Sequence, residues 1–168
     1  MTEVYTLSVF LHILAAIVWI GGALFLVFVL VPVVRKPEMR SLAPVLLGAS
    51  GRRFKIVGWV SLVVLVLTGF ASMGFRGWMA AMSTPGYWQS PVGKVLALKL
   101  GLVAVILLLS VIHDFYVGSK AVDRMKEAPD AADTKRLRKL ASWMGRINVL
   151  LGLVVVYLAV MLVRGMSF

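Results

Sequence analysis

Apolar residues gather into four runs along the chain, with short polar stretches between them. The runs extend from about Val4 to Val34, Ile56 to Phe75, Val95 to Gly118 and Ala141 to Val163. Each reaches the roughly 20 residues that a helix needs to cross a bilayer. In hydrocarbon every backbone N–H and C=O must be satisfied within the segment, which a helix does. The pattern therefore predicts an all-α membrane protein, a four-transmembrane-helix bundle forming one domain over residues 1–168. The first run is longer than a crossing requires. It is expected to tilt, or to project before Pro32 and Pro37 end it.

A faint internal repeat accompanies the runs. Gly51-Arg52 precedes Gly58 near the start of the second, and Gly145-Arg146 precedes Gly152 in the fourth at the same spacing. Two parallel helical-hairpin repeats would produce this. Small residues and snorkelling arginines where helices enter a membrane would produce it too.

Composition agrees with the class, since 61% of the 168 residues are hydrophobic. A soluble domain of this length could not bury so much apolar area. The chain has no cysteine, which excludes disulfides, thiolate metal sites and iron–sulfur clusters. The start, Met-Thr-Glu-Val-Tyr, carries neither a basic n-region nor a small-residue cleavage site. The first apolar segment is therefore expected to stay in the mature protein.

The net charge of +11 is distributed as membrane topology requires and does not mark a nucleic-acid-binding face. Six basic residues lie between Arg35 and Lys55, and seven between Ser119 and Leu140. Only Arg76 and Lys94 flank the connection between the second and third runs. The positive-inside rule puts the two basic stretches in the cytoplasm, with both termini outside. The expected partners are the bilayer and its anionic headgroups at these loops, and a homo-oligomer is compatible with the same spans. Trp78, Tyr87 and Trp88 suit an aromatic belt at the outer headgroups.

Ionisable groups inside the spans are costly, which makes them candidates for function. They are His12, Lys99, and His113 with Asp114 near the cytoplasmic end of the third run. His12 shares a helical face with Ser8, Ala15, Ala16, Trp19 and Gly22. Small residues beside it leave room for a close helix or a bound flat group, and a neutral imidazole bonded to a neighbouring helix is the plain structural alternative. Lys99 could equally snorkel to the outer surface, although Lys99, Ser110 and His113 fall on one stripe. In a regular helix, adjacent side chains point about 100° apart, so Asp114 is not expected to bond its neighbour His113. Ser61, Thr68, Ser72 and Asn148 read first as interhelical hydrogen-bond glue.

Methionines lean toward the predicted outer side, at Met73, Met79, Met82, Met161 and Met166. Thioethers favour Cu(I), and Met79-Ala-Ala-Met82 places two of them on one face if helical. Methionine is also an ordinary apolar filler.

Several strings resemble the copper-resistance D (CopD) family. They are Leu11-His12 through Trp19-Ile20-Gly21-Gly22, Arg53-Phe54, Leu67-Thr68-Gly69, Leu98-Lys99-Leu100 and Ile112-His113-Asp114-Phe115. The resemblance covers the four-helix portion of longer family members and implies a small bacterial inner-membrane protein concerned with copper. His12, His113, Asp114, Met79 and Met82 are then the candidate metal ligands, with copper as the ion. His12 and Lys99 also look like positions of the HemJ group of haem-binding membrane proteins, which implies haem b and an oxidoreductase as the alternative. An accessory subunit without cofactor is a further reading, and the residues by themselves define no reaction. His12 and His113 differ in depth by roughly 16 Å at 1.5 Å per residue, too far for one ion or one bis-histidine haem. His12 and Lys99 lie at similar depth, where the lysine would pair with a haem propionate before it would ligate.

Overall fold

The computed structural model describes residues 2–165, and among them every regular element is helical. Four helices are long and apolar enough to span a membrane: Glu3–Val34, Ala43–Phe75, Pro91–Glu127 and Ala132–Arg164. The protein is thus a multi-pass α-helical membrane protein. The first spanning helix packs mainly on the second and the third mainly on the fourth, and the first also touches the fourth. Large apolar side chains such as Phe10, Ile17, Phe28, Val60, Leu67, Leu108 and Val163 face outward, where lipid replaces a protein core.

The helices overrun the apolar runs on the basic side. The second begins at Ala43, ahead of its run at Ile56, and the third continues to Glu127. The fourth starts at Ala132, ahead of Ala141. A 33-residue helix is about 50 Å long, well beyond a hydrocarbon core of about 30 Å. The extensions fold on one another. Ala121 and Met125 are buried, and a methyl at Gly48 would stand 3.2 Å from Val122. Thr134, fully buried, donates to the carbonyl of Ala128 and ties down the turn between the third and fourth helices.

Two spanning helices are not uniformly α-helical. A π-helical turn occupies Leu26–Leu30 in the first and another His113–Val117 in the third. The interval from 12 to 26 equals that from 99 to 113, so each turn lies equally far along its helix from His12 or Lys99. Pro32 falls in the helical turn Val31–Val34, and Pro37 opens a short 3-10 turn, so the first helix ends between the two prolines.

Between lipid-solvated helices, packing depends on close approach of small residues. Trp19 is the central wedge and lies in a buried cluster with Leu62 and Ile106. Gly58 of the second helix and Gly152 of the fourth both face it. A second buried cluster joins Met73, Val95, Leu96, Leu158, Met161 and Leu162 toward the opposite end. The connection there turns sharply at Gly77, whose φ of 70° suits glycine. Ser90 then caps the third helix by accepting from the N–H of Gly93 at 3.0 Å.

Candidate functional site

The face of the first helix carrying Ser8, His12, Ala15 and Trp19 is its buried one, as the helical spacing predicts. It lies against the second helix and sets His12 beside Thr68. The Thr68 hydroxyl donates to the carbonyl of Val64, 2.6 Å away, in its own helix. With its one proton committed there, the same oxygen accepts from His12 Nδ1–H at 2.8 Å. The proton is therefore on Nδ1, and Nε2 keeps a free lone pair. A methyl at Gly69 would stand 3.6 Å from His12 Cε1, so this glycine leaves the ring its place. Ser8, one helical turn before His12, has a buried hydroxyl with no hydrogen-bond partner among the described residues.

Lys99 of the third helix is half-buried and has no ion-pair partner among the described residues. Its charge acts on His12, and Arg76 in turn acts on Lys99. Arg76 itself donates to the hydroxyl of Tyr5 at 3.2 Å and lies 5.1 Å from the Trp78 ring. The structure thus brings His12, Thr68, Gly69 and Lys99 into one neighbourhood.

His113 and Asp114 form a second site at the basic end. His113 Nδ1 and Asp114 Oδ1 are 2.8 Å apart, and the carboxylate can only accept. Here too Nε2 is the free nitrogen. The expectation that neighbouring side chains could not bond is thereby corrected. It assumed a regular α-helix, whereas residues 113–117 form a π turn with different angular spacing. The other carboxylate oxygen accepts from Trp59 Nε1 at 3.0 Å. Phe115 stacks edge-on against Trp59, and Lys55 Nζ lies 3.6 Å above the Phe115 ring.

Trp59 had no sequence-based assignment. Its signal was available, because a tryptophan N–H inside a span needs an acceptor and Asp114 is the carboxylate nearest a span centre. Among the glue residues, Asn148 donates to Ser110 at 2.8 Å, joining the third and fourth helices. Ser61 instead bonds back to Val57 in its own helix.

The thioethers divide between two environments. Met82 packs beside the cluster containing Met73 and Met161, while Met79 is exposed. The helix Trp78–Ala81 is a single turn with Met82 as its cap, so the two sulfurs do not line a common helical face. Met166 lies outside the described residues. Among those residues no three His, Cys, Asp or Glu side chains gather to hold a metal.

Residues 48–162 match the protein family described as Copper resistance protein D. The chain belongs to this family. The CopD match takes in Thr68, Lys99, His113 and Asp114, and begins after His12. A relative from Aquifex aeolicus (strain VF5), described as an uncharacterized protein, is 32% identical over 156 residues. That alignment covers 92% of each chain. No solved structure matches the chain.

Proposed function

We propose that this CopD-family protein binds Cu(I) and helps it cross a bacterial cytoplasmic membrane, with both termini on the outer side. The observation that carries this reading is the state of the two histidines. Each has its Nδ1 proton engaged, by Thr68 or by Asp114, and each keeps Nε2 as a metal donor. Copper is the cargo. His12 would receive it in the outer half, on the same side of the bundle as the soft sulfurs of Met73, Met82 and Met161. His113 and Asp114 would form the exit station at the cytoplasmic margin. Two sparse stations about 16 Å apart suit passage better than storage, since a saturated ligand cage would hold the ion.

Competition with a Cu(I) chelator tests the reading on the purified, detergent-solubilised protein. The wild type should take up Cu(I), and His12→Ala should bind it at least about tenfold more weakly. Equal affinity in both would remove His12 from the account. A Soret band that travels with the protein and vanishes in His12→Ala would replace copper with haem.

A further inference from the structure

Where the first helix ends against the fourth, a cavity of about 330 Å³ opens at the basic end of the bundle. Arg35 enters from the first helix, and Lys135, Arg138, Lys139 and Arg146 from the fourth. No carboxylate lines it. We propose that this cavity is a discrete site for the phosphate of an anionic phospholipid. The inference is independent of copper binding.

The four cations of the fourth helix recur at three-, four- and seven-residue intervals and so share one face. Like charges at such spacings repel and destabilise a helix unless a counter-charge is supplied. Three of the acids on this side are already engaged elsewhere. Asp133 and Glu127 pair with Arg124, and Asp123 with Lys126. None of the five cavity cations forms an ion pair among the described residues. Among the described residues no carboxylate supplies their counter-charge.

The cavity is also shaped by contacts. Arg35 Nη2 donates to Ser142 Oγ at 3.1 Å, which holds its guanidinium at the fourth helix. The Arg146 guanidinium lies 5.7 Å from the ring of Trp143, a half-exposed indole of the kind that sits at headgroup level. A guanidinium held this way still has N–H groups to offer a phosphate.

The surroundings favour a lipid over a free anion. The two helices meet just inside the cavity, where a methyl at Gly145 would stand 3.9 Å from Val27. Beyond that meeting point Phe25 on the first helix, and Ile147 and Leu150 on the fourth, are exposed apolar side chains. A phosphate in the basic cavity would leave its acyl chains lying along them.

Native mass spectrometry of the full chain in detergent, titrated with phosphatidylglycerol or phosphatidylcholine, tests this. One phosphatidylglycerol should be retained in preference to phosphatidylcholine. The variant R35Q/R138Q/R146Q should lose that preference, with an affinity drop on the order of a hundredfold at about a fivefold step for each of the three charges. The control K36Q/R40Q/K120Q removes equal charge outside the cavity and should keep the preference. Equal loss in both variants would mean diffuse surface attraction and overturn the site, as would equal retention of the two lipids by the wild type. Displacement of the lipid by millimolar inorganic phosphate would overturn the lipid assignment. Circular dichroism melts of all three proteins separate loss of the site from loss of the fold.

Discussion

Gly152 of the fourth helix approaches Trp19 of the first so closely that a methyl on its Cα would stand 2.9 Å from the indole. Gly58 faces the same indole from the second helix, but its methyl would stand 3.6 Å away, an ordinary contact. The two substitutions should therefore differ. Gly152→Ala forces the indole or a helix to move and should cost about 1–3 kcal/mol, the usual range for overpacking. Gly58→Ala should be tolerated. Thermal unfolding in one detergent compares them, and equal midpoints would show that Trp19 is not wedged against the fourth helix.

Thr68 holds His12 in the tautomer that leaves Nε2 free. Thr68→Val keeps the shape and removes the acceptor, so Cu(I) affinity should fall by about 10–100-fold, as for other residues that orient a metal ligand. Thr68→Ser restores the oxygen and should restore most of the affinity. Chelator competition on the three proteins reads the series. An unchanged affinity in Thr68→Val would show that the hydrogen bond does not prepare the imidazole.

The two histidine sites share no partner and lie far apart, so their effects should be separable. His113→Ala should leave Cu(I) affinity at His12 unaltered while slowing copper movement into proteoliposomes. Trp59→Phe, which removes the indole donor to Asp114, should slow movement in the same direction but less severely. If His113→Ala weakens first-site binding as much as His12→Ala does, the two form a single site and the passage scheme fails.

Orientation is tested by single cysteines, which a chain without native ones accepts cleanly. Ser83 and Ala132 are both exposed and lie at opposite ends of the bundle. Ser83→Cys should react with a membrane-impermeant thiol reagent on spheroplasts, and Ala132→Cys only after lysis. Reversed labelling would put His12 in the cytoplasmic half and turn the proposed direction of copper movement around.

Residues that act within one helix were legible from the sequence, and residues that act between helices were not. The four spans follow from apolar runs, and the buried face of Ser8, His12, Ala15 and Trp19 follows from helical periodicity. The His12–Thr68 bond was hidden because spacing along one helix does not say which helix lies beside it. Thr68 read as interhelical glue, and its partner turned out to be the imidazole itself. The overrunning helix ends were hidden for another reason. Between Ala43 and Lys55 two glycines and three basic residues interrupt the apolar pattern, although the backbone stays helical. The π turn at His113–Val117 has no composition that sets it apart, so the bond between His113 and Asp114 could not be read from an α-helical wheel.

That π turn also acts as a phase shifter. It inserts one residue without a matching gain in length, which rotates everything below it by about 100° relative to an unbroken α-helix. Above the turn the third helix presents Ser110 to Asn148 of the fourth, and below it presents Val122 to Gly48 of the second. On an unbroken helix Ser110 and Val122 would stand about 120° apart, and the inserted residue brings them to nearly one azimuth. A one-residue deletion between His113 and Val117 would therefore swing the whole basic-end extension, Ala121 and Met125 included, away from the groove it now fills.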